Sequence, residues 1–172
     1  YHMKEYNLFY INLKHRIDRK NELKKEFEKL KNKNNTFKIT RIDAIKNNKE
    51  GAIGVALSHI KALKLAKKLN LENVMIAEDD LFIKEELINK YFNIIENIKK
   101  WDVIILSGHC WSNYKLNSET KFDNYLSKCR STQTATWYIV NKHYYDVLIN
   151  CFLESHKNLS FCFIDDVSKE KR

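Results

Sequence analysis

Apolar and polar positions change their spacing several times along this chain. Leu8-Phe9-Tyr10-Ile11 is a continuous apolar run of the length expected for a buried strand. Leu23, Phe27 and Leu30 then recur at helical spacing among charged residues, until Asn32 to Asn35 break the pattern. Phe37, Ile39 and Arg41 alternate with polar residues, predicting a half-buried strand up to Ala44. A helix is expected from Gly54, with Val55, His59, Ala62, Ala66 and Leu69 on one face, Lys61, Lys64 and Lys68 on another, and Asn70 ending it. Val74 to Ala77 reads as a second buried strand. A helix striped by Leu87, Tyr91, Ile94 and Ile98 follows, then a strand over Val103 to Leu106. Residues 108–132 carry no pattern, and a connection that long in a compact domain is usually functional or mobile. Ala135 to Val140 predicts a strand, Lys142 to about Leu153 a helix. The apolar run Phe161 to Ile164 ends at Asp165-Asp166.

Strands alternating with helices, several of them apolar throughout, predict one α/β domain: a mostly parallel central sheet flanked by helices. Neither an internal repeat nor a linker divides it. The 172 residues are one domain's worth of chain, and 44% apolar residues fit a globular protein. No long apolar run predicts a membrane span, and no signal peptide is recognisable. Four cysteines without a C-x-x-C pair point to reduced thiols in a cytoplasm rather than to a metal knot. The formal charge of +9 would attract anions. Its lysines are scattered along helices and loops, so solvated helix faces explain it better than a nucleic-acid surface.

Three stretches change this picture. Glu78-Asp79-Asp80 follows directly on the apolar strand. Three adjacent carboxylates repel one another, by roughly 4 kcal/mol per close pair in a surface-like dielectric. Ligands of open α/β sheets collect outside the carboxyl ends of the strands, where these acids sit. Extended spacing puts Glu78 and Asp80 on one side and Asp79 on the other. Two carboxylates on one side suit Mg²⁺ or Mn²⁺; equally, acids at this point can cap the following helix. The first strand likewise runs into Asn12, Arg16 and Arg19, a set suited to a phosphate or diphosphate, or to a solvated turn in which Asp18 pairs locally. Gly51 and Gly54, two of the chain's 3 glycines, open the second helix and permit close backbone approach, with Ser58 and His59 in its first turns. Neither a G-x-G-x-x-G nor a G-x-x-x-x-G-K loop occurs, which argues against Rossmann-type dinucleotide binding and a P-loop ATPase.

Taken in order, these stretches resemble glycosyltransferase family 25, which includes lipopolysaccharide, lipooligosaccharide and collagen glycosyltransferases. The resemblance is carried by Ile11-Asn12-Leu13 with Arg16 and Arg19, by Gly51 to His59, by Glu78-Asp79-Asp80, by Trp101 to Gly108, by Thr134 to Val140 and by Ile164-Asp165. It implies a GT-A-like fold over residues 4–172, short at its C-terminal end, since family domains usually continue. It implies a nucleotide-sugar donor and a Mn²⁺ or Mg²⁺ ion, with Asp80 and Glu78 as metal ligands. Asn12, Arg16, Arg19, Ser58, His59, Glu78 and Asp79 would serve the nucleotide-sugar. Asp165 or Asp166 would be the catalytic base. UDP-galactose is the expected donor, transferred with inversion to a surface glycan or glycolipid, by a cytoplasmic enzyme in peripheral contact with the membrane. Two other classes compete. One is a catalytically inactive relative that only binds a nucleotide-sugar or a partner. The other is a basic nucleic-acid-binding domain using Tyr10, Trp111 and Tyr114 as stacking rings; no nucleic-acid motif supports it, and no nucleic acid is expected as a partner.

Overall fold

Every second residue of a strand faces the same way, and that rule organises this molecule. The computed structural model describes residues 4–31, 35–108 and 136–169, with side chains up to 158. Strand β1 (Lys4–Asn12) points Tyr6, Leu8, Tyr10 and Asn12 to one face of the sheet, and Phe9 and Ile11 to the other. It pairs in parallel with β2 (Asn35–Asp43) and β3 (Asn73–Glu78). Beyond β3 lies β5 (Trp137–Asn141), antiparallel to β3, and then β4 (Val103–Ser107), antiparallel to β5. The order is β2-β1-β3-β5-β4. The expected α/β architecture is present, but the sheet is mixed: two of its neighbour pairings are parallel and two antiparallel. Continuous apolarity in β5 reports burial on both faces, which an antiparallel central strand meets as well as a parallel one.

Helices cover both faces. Helix α1 (Ile17–Glu28) and α3 (Ile88–Asn97) bury Leu23, Phe27, Ile88, Phe92 and Ile95 against Leu8, Met75, Trp137 and Ile139. Helix α2 (Gly51–Lys68) and α4 (Tyr145–Lys169) bury Ile60, Leu63, Ala66, Tyr145 and Ile149 against Phe9, Ile76, Tyr138 and Val140. Burying each large side chain contributes on the order of 1.5–3 kcal/mol.

Local chemistry sets the helix ends. Glu50 caps α2 by accepting a 3.1 Å bond from the Ala52 amide, so the helix starts three residues earlier than expected, at Gly51. Asn70 ends it in the left-handed conformation at φ 55°. The Leu71 amide bonds the Ala66 carbonyl and the Asn70 amide bonds the Lys67 carbonyl, a Schellman closure. Two apolar stripes differ from expectation. In α3 the buried line is Ile88, Phe92 and Ile95, because Leu87 lies in a preceding short 3₁₀ turn. In α2, Val55 and Leu69 are exposed, while Ile53, Ala56, Ile60 and Leu63 turn inward. The final helix extends well past Leu153, to Lys169, and takes in the apolar run that ends at Asp165-Asp166. It packs antiparallel to α2: Asp146 pairs with Lys67 at the far end of α2, and Phe152 stacks on His59 nearer its start.

Candidate functional site

Strands β1, β3 and β4 run in the same direction, so their carboxyl ends share one edge of the sheet, where the antiparallel β5 begins. Two clefts open along that edge. The first, of about 390 Å³, lies between the ends of β1 and β3, the start of α1 and the start of α2. Asn12, Arg16, Arg19, Ser58, His59, Glu78 and Asp79 all line it, and seven of the residues singled out from sequence are thereby brought together.

Alternation places their side chains. Asn12 and Asp79 follow Tyr10 and Ala77 on the α1 face, and there they meet. Asn12 is 1% exposed and fully engaged. Its Nδ2 donates to Asp79 Oδ2 at 2.8 Å and to the Arg16 carbonyl at 3.1 Å. Its Oδ1 accepts from Arg41 Nε at 3.1 Å, and Arg41 Nη2 donates to its carbonyl at 3.1 Å. Arg19 Nη1 reaches Asp79 Oδ1 at 3.0 Å. Both oxygens of Asp79 are therefore held, one by an amide and one by a guanidinium. Arg16 forks onto Asp18 instead, with its Nη2 2.6 Å from Oδ2. That contact depresses the Asp18 carboxyl to about 2.

Glu78 follows Val74 and Ile76 on the opposite face, toward α2. There His59, 1% exposed, holds it: Nε2 lies 3.3 Å from Glu78 Oε1, and Nδ1 lies 2.9 Å from the Tyr138 hydroxyl. The imidazole also stacks on Phe152, with ring centroids 5.0 Å apart. Burial, reinforced by the negative charge of Glu78, pushes the Tyr138 phenol well above its ordinary value, so it stays a proton donor. The donor order that follows is Tyr138 O–H to Nδ1, then Nε2–H to Glu78. Core packing and site membership, which compete for a lone histidine in the sequence, are here the same role.

Ser58 serves the wall. Its hydroxyl donates to the Gly54 carbonyl at 2.7 Å and accepts from the Ile45 amide at 2.8 Å, pinning residues 44–47 to α2. Gly54 makes this possible, since a Cβ there would lie 2.5 Å from the Ile45 carbonyl oxygen.

The acidic triplet departs from its expected geometry. β3 ends at Glu78, and the chain turns, with the Leu81 amide 3.3 Å from the Glu78 carbonyl. Extended spacing stops there: Glu78 and Asp79 line the first cleft, whereas Asp80 lines a second one with Tyr91, Ser107 and Trp137. The Asp80 carboxyl is raised above its ordinary value, first by partial burial and then by the charge of Glu78, with Arg19 acting in the opposite sense. Among the described residues no three His, Cys, Asp or Glu side chains are grouped to hold a metal ion. Asp165 and Asp166 fall in the last turns of α4, and their side chains lie outside the described residues. Trp111 and Tyr114 also lie outside them, and Tyr10 is buried against Phe27 in the core, not displayed as a stacking surface. Among the described residues no helix is long and apolar enough to cross a membrane.

Arg41, Lys46 and Tyr138 belong to the site but were not singled out from sequence as site residues. Arg41 gives only the signal of a charged residue in an alternating strand, and Tyr138 that of one more apolar strand position.

No curated protein matches the chain. The sequence profile of glycosyltransferase family 25 (LPS biosynthesis protein) matches residues 48–157, a span that takes in the start of α2, the acidic turn and the second cleft, and begins after Asn12, Arg16, Arg19 and the 44–47 wall of the first cleft. That is more than half of the chain, and the chain belongs to this family of glycosyltransferase enzymes.

Proposed function

We propose that the enzyme transfers a hexosyl group, with galactose from UDP-galactose as the first donor to test, onto a surface glycan or glycolipid, with inversion. The observation that carries this reading is the first cleft. It gathers Arg16, Arg19 and Lys46 around Asn12, which braces Asp79 and the Arg16 backbone, and so offers cationic side chains to a diphosphate at the carboxyl edge of the sheet. In the reaction the bond from the anomeric carbon to the β-phosphate oxygen breaks, and its electron pair leaves with the nucleoside diphosphate. The acceptor hydroxyl oxygen bonds to the anomeric carbon, and its proton passes to a carboxylate base. Asp165 and Asp166 are the candidates for that base on the strength of the family resemblance. The antiparallel packing of α4 on α2 carries the end of α4 back toward the edge where the clefts open.

The donor chemistry at the acidic turn fits a hard divalent ion. Glu78 and Asp80 repel each other, while Asp79 is already neutralised by Arg19. Two carboxylates completed by substrate phosphate oxygens and water are a usual setting for Mg²⁺ or Mn²⁺. Glu78 and Asp80 would hold the ion, which when bound stabilises the charge of the departing diphosphate. His59 and Tyr138 hold Glu78 in place; Arg19 and Asn12 hold Asp79. A GT-A-like fold and a cytoplasmic setting in peripheral contact with an anionic membrane complete the reading, the latter supported by the +9 charge.

Thermal melting with UDP, with and without Mn²⁺, tests it. A rise in melting temperature that requires the ion, and that is lost in Asp80→Asn together with hydrolysis of UDP-galactose, is the expected result. Binding of UDP without any turnover of UDP-sugars would favour a non-catalytic relative. Salt-dependent RNA binding with no response to UDP would overturn the reading.

A further inference from the structure

The second cleft has a different chemistry from the first. It measures about 480 Å³, enough for a sugar unit or two, and is lined by Asp80, Phe82, Tyr91, Ser107, Thr136 and Trp137 among others. Its charged lining residues are Asp80 and Lys84, one of each sign, against Arg16, Arg19 and Lys46 beside Glu78 and Asp79 in the first cleft. Such a lining gives no reason for a diphosphate to settle there. It suits an uncharged ligand rich in hydroxyl groups.

Two further observations point the same way. Trp137 is 1% exposed, yet its indole Nε1 has no hydrogen-bond partner among the described residues. That N–H is closed off behind the cleft wall, where its resonance reports on what enters the cleft. Tyr91 meets the Trp137 ring edge-on, with centroids 5.9 Å apart, and holds it in place. Phe82, by contrast, is 68% exposed, with Lys29 Nζ 4.5 Å from its ring centroid. An aromatic ring displayed at the rim of a cleft lined by Ser107 and Thr136 is the usual equipment for a pyranose, whose C–H face packs on the ring while its hydroxyls take the hydrogen bonds.

We propose that this second cleft binds a neutral hexose unit of the acceptor glycan, with Phe82 as its stacking platform and the Ser107 and Thr136 hydroxyls as its hydrogen-bonding partners. The proposal rests on the glycosyl-transfer reading. It explains why consecutive residues of the acidic turn line different clefts: Glu78 and Asp79 face the donor, and Asp80 stands where donor and acceptor meet.

The test uses the whole chain labelled with ¹⁵N and methyl β-D-galactopyranoside or methyl β-D-glucopyranoside as the probe. The indole N–H resonance of Trp137, identified by its absence in Trp137→Phe, moves as one of these hexosides is added. Phe82→Ala, whose exposed position leaves the fold intact as checked by melting, needs about tenfold more hexoside for the same shift, the loss of one stacked contact of ~1.4 kcal/mol. Saturating UDP leaves the hexoside shift in place. A Trp137 resonance that no hexoside moves overturns the proposal. So does a Phe82→Ala titration identical to wild type, or displacement of the hexoside by UDP. The thermal response to UDP is measured on the same sample. Its absence beside a persisting hexoside shift strikes the donor reading and leaves the sugar subsite standing.

Discussion

His59 Nε2 stands 3.3 Å from Glu78 Oε1, and the imidazole is buried while the carboxylate is partly open to the cleft. The histidine thus works as a buried post for an acid at the rim. The direction of its bond depends on a third residue, Tyr138, which donates to the other ring nitrogen.

Replacing Tyr138 by Phe removes that donor and leaves Nδ1 buried without a partner. The expected cost is about 1–3 kcal/mol, which for a chain of this size lowers the melting temperature by a few degrees. The specific readout is the imidazole itself. Long-range ¹H–¹⁵N spectra of the wild type should report a His59 ring carrying its proton on Nε2, and Tyr138→Phe should mix the two tautomers. A wild-type ring protonated only on Nδ1 would contradict the assigned donor order.

Asn12 joins three chain segments through four hydrogen bonds. Asn12→Asp is nearly isosteric but turns the 2.8 Å amide donor toward Asp79 into a second carboxylate. Asn12→Ala removes the contacts without adding charge. The acidic variant should therefore be the less stable of the two near neutral pH, and the difference should shrink in acid as the carboxylates protonate. Denaturant unfolding at two pH values measures this; equal stability of the two variants throughout would show that Asp79 is not electrostatically confined.

At Gly54 an added methyl would collide with backbone, the Ile45 carbonyl oxygen at 2.5 Å. Gly54→Ala must push residues 44–47 away from α2 and break the Ser58 bridge. A loss of roughly 1–3 kcal/mol is expected, accompanied by weaker UDP binding, because the displaced residues are a wall of the donor cleft. Gly51→Ala meets nothing within 4 Å and serves as the control, with little change in either measurement.

Alkaline stability follows from the buried phenols. Burial raises the folded-state values of Tyr6, Tyr138 and Tyr145, with the charges of Glu96, Glu78 and Glu72 adding to it respectively. In the unfolded chain each phenol ionises near pH 10. Their contribution is present in full below that pH and is lost as the pH climbs from there toward the folded-state values. Each such phenol should cost roughly 1.4 kcal/mol per pH unit above 10. Urea midpoints between pH 9 and 11 should fall steeply in the wild type (~1 unit either side of the phenol's ordinary value), and less steeply in Tyr145→Phe.

Much of this was readable in the chain because the strands announce themselves. The run Val74 to Ala77 is too apolar to lie anywhere but inside, and the acids that follow β3 had to emerge at its carboxyl end; Val103 to Leu106 is equally apolar but forms the edge strand β4, where only Ile104 is buried. The direction of β5 was not readable, since a strand buried on both faces has the same composition in either orientation. Nor was the division of the triplet. Period-two spacing holds only while the backbone stays extended, and the turn after Glu78 cancels it for Asp80. Tyr138 was hidden for a related reason: an aromatic ring in a core strand carries no mark of a hydroxyl that reaches a histidine 79 positions away in sequence.

The reversed fifth strand has a bearing on how such enzymes diversify. Strand β4 ends at Ser107 and β5 begins at Trp137 on the same margin, and the start of β5 is fastened by the Glu78 amide bonding to the Thr136 carbonyl at 2.8 Å. Both splice points flank the proposed sugar subsite. A chimera built by exchanging the stretch between them with that of a sister enzyme would keep all five strands in register, and it offers a direct route to retargeting the scaffold.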